Sequence, residues 1–128
     1  MVGPESSPIV LLVDDTALLR RLVGEYLCDL GYTVLVANGG QDALRLAAEH
    51  RGPIHVLFTD VMMPGMRGPE LAERIRASRP DIAILFMSGS GLGEWADQGV
   101  IRVSGGVVLN KPFTQEELAS ALRKVLNG

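Results

Sequence analysis

One thiol, Cys28, is all the cysteine this 128-residue chain carries. An internal disulfide is therefore excluded, and a reducing compartment fits. Cys28 falls off the apolar stripe of its helical segment, and nothing beside it suggests an activated thiolate. Only two histidines are present, His50 and His55. Neither has metal-ligand spacing to another His or Cys, so both read as structural or solvent-facing. No dense Lys/Arg run exists, and the net charge is −3, which argues against a nucleic-acid surface. Arg20, Arg21, Arg67, Arg74, Arg76 and Arg79 are scattered, as on solvated helix faces. No apolar stretch approaches the length of a membrane span. Residues 1–8 lack the charged and apolar regions of a signal peptide and read as a polar lead-in or linker remnant. Internal repeats, low-complexity tracts and domain boundaries are absent, so residues 9–128 read as one domain.

What the chain does have is regular alternation. Ile9-Val10-Leu11-Leu12-Val13, Thr33-Val34-Leu35-Val36, Ile54-His55-Val56-Leu57-Phe58, Ile82-Ala83-Ile84-Leu85-Phe86-Met87 and the shorter Val107-Val108-Leu109 are near-continuous apolar runs. Strands buried on both faces have this pattern. Helical spacing lies between them. Leu18, Leu19, Leu22, Val23, Tyr26, Leu27 and Leu30 form one stripe, stopped by Gly31. Ala43, Leu44, Ala47 and Ala48 form a second, and Leu71, Ala72 and Ile75 a third, ended before Pro80. Leu118, Ala121, Leu122, Val125 and Leu126 form the last, opened by the capping-box pattern Thr114-Gln115-Glu116-Glu117. These stripes are expected to be core. Residues 89–106 contain six glycines, and only 94–98 look helical. A short or poorly ordered fourth helix is expected there, with Trp95 packed by default. The whole predicts an α/β fold, a (βα)5 doubly wound parallel sheet.

In such a sheet the carboxyl ends of the strands share one edge, where ligands bind. Asp14-Asp15 follow the first run, Asp60 the third, Ser88 the fourth and Lys111 the fifth. Three converging carboxylates repel one another, raising at least one pKa, and a divalent cation removes that conflict. Magnesium suits the set because it takes oxygen ligands and tolerates one or two carboxylates plus a phosphate. Asp60 is the best candidate for a nucleophile that accepts a phosphoryl group, with a carbonyl just after it as a further ligand. Lys111 can pair with Asp60 before reaction and with phosphoryl oxygens afterward, and Ser88 can hydrogen-bond one of those oxygens.

Singly, each residue has a bland reading. Asp14-Asp15 can cap a helix, Asp60 can be a loop carboxylate, and Lys111 can be solvated. The four-part coincidence makes the joint bland reading a poor one. Gly89-Ser90-Gly91-Leu92-Gly93 lacks G-x-x-x-x-G-K-[ST] and reads as a loop rather than a nucleotide cradle.

Leu12-Val13-Asp14-Asp15, Thr59-Asp60-Val61-Met62-Met63-Pro64-Gly65, Met87-Ser88-Gly89 and Asn110-Lys111-Pro112-Phe113 together resemble the receiver (response-regulator) domain of bacterial two-component signalling. Residues 60–69, 85–89 and the glycine-rich segment before Lys111 further resemble the C-terminal receivers of hybrid sensor histidine kinases. The resemblance implies a flavodoxin-like sheet of order 2-1-3-4-5 and a cis Lys111–Pro112 bond. It implies Asp60 as phosphoacceptor, with Lys111 and Ser88 binding the phosphoryl group. Magnesium would be held by Asp15, Asp60 and the main-chain carbonyl of Met62, with Asp14 acting through water. The partner it implies is a histidine kinase, in the same parent chain or another, or a histidine phosphotransfer protein. Direct nucleic-acid or membrane contact is not implied, and the expected location is cytoplasmic, with any membrane anchor in the parent protein.

One departure bears on the switch. Family members often carry Tyr or Phe three residues before the lysine, where this chain has Val108. Phosphorylation is accordingly expected to change order in residues 88–106 more than to turn a side chain. Met62 and Ser90 border the expected pocket mouth, placed to tune water access. Three rivals share parts of this pattern. A receiver fold that binds partners without phosphorylation is favoured by Val108 and disfavoured by the intact acidic set. A metal-dependent phosphatase would want a D-x-D pair and a cap domain, both missing. A flavin protein would place its phosphate among three carboxylates.

Overall fold

The computed structural model describes residues 7–89 and 106–127. The five apolar runs become strands β1 (Ile9–Val13), β2 (Thr33–Ala37), β3 (Val56–Asp60), β4 (Ala83–Ser88) and β5 (Val107–Asn110). Between and after them lie α1 (Ala17–Asp29), α2 (Gly40–Glu49), α3 (Gly68–Ser78) and α4 (Gln115–Asn127). The strands form one parallel sheet of order β2-β1-β3-β4-β5, the doubly wound, flavodoxin-like arrangement expected. The helix expected around 94–98, with Ser90 and Trp95, lies outside the described residues. Among those described, no helix is long and apolar enough to cross a membrane.

Alternate residues of each strand feed opposite faces. Leu11, Leu57, Ile84 and Phe86 pack with Ala43, Ala47, Leu71 and Ile75 of α2 and α3. Val10, Leu12, Phe58, Leu85 and Met87 pack with Val23 and Leu27 of α1 and Leu118 and Leu122 of α4. Burial on both faces explains why the strands read as unbroken apolar runs.

Helix boundaries follow local chemistry. Gly31 adopts φ 96°, and the Gly31 and Tyr32 amides donate to the carbonyls of Cys28 and Leu27. That is a Schellman stop, and the left-handed residue in it favours glycine. At α4, the Glu117 amide donates to Thr114 Oγ1 at 3.0 Å and the Thr114 amide donates to Glu117 Oε1 at 2.8 Å, completing the capping box.

Three readings of the sequence need correction. β3 and β4 begin at Val56 and Ala83, not at Ile54 and Ile82. The Ile82 amide closes the turn after α3 by donating to the Arg79 carbonyl, while His55 braces the Ile9 amide through ring Nδ1 at 2.9 Å. Next, the α1 stripe is not all core: Leu18 is 79% exposed and Leu22 45%, because the sheet is met by Val23 and Leu27 instead. Lastly, Arg79 is no solvated arginine. Its guanidinium donates to the carbonyls of Ala47, His50 and Gly52 at 3.0, 3.0 and 2.8 Å, satisfying the open end of α2. Arg79→Ala is expected to cost about 2 kcal/mol, since hydrogen bonds from a charged donor are strong and two of the three freed carbonyls, those of Ala47 and His50, are part-buried. Urea unfolding measures it, and a loss under about 0.5 kcal/mol would return Arg79 to the solvated surface.

Candidate functional site

Strand register assembles the site. Val13 lies level with Thr59 across β1 and β3, so Asp14 and Asp60, the next residue of each, come side by side. Asp60 is level with Met87 on β4, and Ser88 is level with Asn110 on β5. Lys111 follows Asn110 directly, and its amide donates to the Ser88 carbonyl at 2.8 Å. The Lys111–Pro112 bond is cis, and Phe113 tilts against Phe58 with ring centroids 6.1 Å apart. The lysine is thus anchored from both sides.

Lys111 Nζ lies 2.7 Å from Asp60 Oδ2 and 3.6 Å from Asp14 Oδ2. Asp60 is nearly buried and Asp14 wholly so, while Asp15 is exposed at the mouth. One carboxylate oxygen from each of Asp14, Asp15 and Asp60 falls within 4.8 Å of the others. Asp60 Oδ1 accepts the Met62 amide at 3.1 Å, and Asp14 Oδ1 accepts the Thr16 amide at 2.8 Å. Thr16, not Asp14 or Asp15, stands at the N-cap of α1, so the capping explanation of the acidic pair fails. Ser88 is buried, and the side chain of Met62 is 53% exposed on the loop after β3.

Asp14 Oδ2 is buried and accepts no hydrogen bond from the described residues. Burial pushes the Asp14 carboxyl above its ordinary value. The Thr16 amide and Lys111 oppose that rise, and Asp60 and Asp15 add to it. An all-oxygen donor set, clustered carboxylates and a buried acceptor left open together fit a hard divalent cation.

A carboxyl whose folded pKa is raised favours folding when protonated and opposes it as pH rises through that pKa. Asp14→Asn is therefore expected to stabilise the metal-free protein at neutral pH by about 1 kcal/mol, a few degrees in Tm. The gain should vanish in acid, where Asp14 is already neutral. Thermal melts at pH 7 and pH 3.5 without divalent metal test this, and a neutral-pH loss of stability would refute it.

Two contributors were not legible beforehand. Arg20, read as solvated, donates from Nη1 to the Asp14 carbonyl at 2.8 Å, and its position one turn into α1 was the only available clue. Gly68 presses on the Asp60 carbonyl so closely that any Cβ would overlap it. A glycine eight residues after a reactive aspartate gives no signal without coordinates.

Residues 10–123 match the family model described as the response regulator receiver domain. The chain is 35% identical over 120 residues to the sensor kinase CckA of Brucella abortus, covering 94% of this chain and 13% of that protein. It is 36% identical over 122 residues to the autoinducer 1 sensor kinase/phosphatase LuxN of Vibrio harveyi, covering 94% and 14%. It thus spans about a seventh or less of these relatives' length. Among solved structures, the chemotaxis protein CheY4 of Vibrio cholerae matches with a TM-score of 0.83 and 33% identity, over 94% of this chain and 99% of that one.

Proposed function

The chain belongs to the response regulator receiver domain family of two-component systems, and from that premise we propose that Asp60 accepts a phosphoryl group from a protein phosphohistidine. An Asp60 oxygen attacks phosphorus, the new O–P bond forms as the N–P bond breaks, and the imidazole leaves with the electron pair. Asp60 is held for this by the Met62 amide at one oxygen and Lys111 at the other. Lys111 neutralises the carboxylate before transfer and can turn to a phosphoryl oxygen as that charge arrives. Ser88, at the end of β4, is placed to donate to another oxygen.

Asp14, Asp15, Asp60 and the Met62 carbonyl would hold magnesium, which when bound supplies charge neutralisation for phosphoryl oxygens near three carboxylates. The single observation that carries the reading is the part-buried Lys111–Asp60 pair set beside the Asp14 carboxylate. Intact mass after acetyl phosphate treatment tests it. One labile phosphoryl group is expected with magnesium and none with chelator. No adduct under conditions where a control receiver reacts would sink the proposal.

A protein donor, rather than a small one alone, is supported by the mouth of the site. Leu18, three residues past Asp15, and Leu22 one turn on are exposed apolar side chains, as is Met62. Exposed leucines beside an acidic cleft suit the apolar face of a partner. The partner is accordingly a histidine kinase, of the same parent chain or another, or a histidine phosphotransfer protein, in the cytoplasm. Leu18→Glu is expected to slow transfer from the phosphorylated partner by about 10-fold or more, given what a central apolar contact contributes. Reactivity with acetyl phosphate should be unchanged. Equal slowing with both donors would show that Leu18 acts on the site itself.

A second reading, binding without phosphorylation, draws on Val108. It is half-buried against the face that holds Ile84 and Phe86, with no ring to reorient. Partner affinity that is identical for the phosphorylated and unphosphorylated chain would favour it.

A further inference from the structure

We propose that the outer edge of β2 binds a second copy of this chain, antiparallel, so that two five-stranded sheets join into one. Among the described residues, β2 has only β1 as a neighbour. Its sequence, Thr33-Val34-Leu35-Val36-Ala37, contains no charge, proline or glycine. Proteins usually blunt a free edge with such residues to prevent pairing. Here the strand itself carries none of them, and Val36 is 47% exposed.

The backbone sets the register. The Thr33 amide donates to the Pro8 carbonyl and the Ala37 carbonyl accepts from the Asp14 amide. Residues 33, 35 and 37 therefore turn their peptide groups toward β1. Those of Val34 and Val36, one residue out of phase, point outward. A two-fold axis at Leu35 places Val34 of each copy opposite Val36 of the other. These are positions where antiparallel strands exchange both N–H···O bonds. The same operation stacks four valine side chains on the α1 face of the joined sheet, as cross-strand pairs.

That face is shaped for it. A groove of about 530 Å³ runs between α1 and β2, floored by Val34 and Val36 and walled by Ala17, Gly24 and Cys28. Between the longer Arg20, Arg21, Glu25 and Asp29, which also line it, these small residues let the second α1 approach, and strand pairing would bring it near helix-packing distance. Charge supplies the partner's identity. Along α1, Arg21 lies toward one end of the groove and Asp29 toward the other. Both are exposed, and neither enters an ion pair with another described residue. Antiparallel helices set Arg21 of each copy against Asp29 of the other, two opposite-charge pairs that outnumber the single like-charge meeting of Glu25 with its own copy at the axis, whereas a parallel arrangement would set like against like throughout. An isologous contact requires this self-complementarity.

Sedimentation equilibrium up to about 0.5 mM covers the affinity range of a small interface. The wild-type chain should dimerise, and Val36→Lys should be monomeric with unchanged circular dichroism. Arg21→Glu and Asp29→Arg should each weaken the dimer about 10-fold or more, and the double variant should restore it. The charge reversals sit on exposed positions, so they decide the matter even if Val36→Lys fails to fold. A short bismaleimide should bridge Cys28 of one copy to Cys28 of the other. A wild-type chain monomeric throughout overturns the proposal, as does a dimer that Val36→Lys and both charge reversals leave intact.

Discussion

Asp60→Asn is expected to take up no phosphoryl group from any donor, with the fold and the other two carboxylates of the acidic cluster kept. The amide retains an oxygen for the Met62 amide, which donates to Asp60 Oδ1 at 3.1 Å, so the loop after β3 keeps its anchor. What the amide lacks is the second anionic oxygen, which sits 2.7 Å from Lys111. An amide oxygen is a far poorer nucleophile toward phosphorus than a carboxylate. The alternatives within reach differ in circumstance. Asp14 is wholly buried, and Asp15 is exposed without a cation beside it among the described residues. Asp60 alone combines partial access with a lysine that neutralises it. Intact mass with acetyl phosphate and magnesium reads the outcome. An adduct of equal yield on Asp60→Asn would transfer the role to Asp15 and break the proposed geometry.

Lys111→Met is expected to slow phosphoryl uptake by about 100-fold or more, the usual loss when a charge-stabilising donor is removed. The same change should also destabilise the metal-free protein, by about 1–3 kcal/mol once the partial exposure of the lysine is allowed for. Among the described residues, Lys111 alone pairs with the side chains of Asp14 and Asp60, so its removal leaves two neighbouring buried carboxylates uncompensated. Divalent metal should restore most of the stability but little of the rate. The reason is that metal can neutralise the carboxylates, whereas only the lysine follows the phosphoryl group. Urea unfolding with and without magnesium, beside the rate of acetyl phosphate uptake, separates the two effects. Loss of stability without loss of rate would confine Lys111 to a structural role. The contrast with Asp14→Asn is informative, since removing a cation and removing an anion from one cluster should move stability in opposite directions.

Much of this was legible in the chain. The strand runs are buried on both faces, and double burial writes itself into sequence as unbroken apolar stretches. Parallel strands then bring their carboxyl ends to one edge, so Asp14, Asp60, Ser88 and Lys111 were readable as a cluster from their position after each run. The capping box at Thr114 and the stop at Gly31 were readable because caps depend on neighbours in sequence.

Tertiary structure decided the rest, wherever partners are distant along the chain. Nothing local distinguishes Arg79, which closes the end of α2, from the solvated arginines of a helix face. The same holds for Arg20, which grips the Asp14 carbonyl. Spacing alone put Leu18 and Leu22 in the core stripe, but which side of α1 meets the sheet is set by packing, and the sheet chose Val23 and Leu27. Gly68 is required because a backbone carbonyl eight residues earlier folds onto it. Periodicity and caps are short-range and survive in one dimension. Long-range hydrogen bonds and the orientation of each helix are settled only when the layers close.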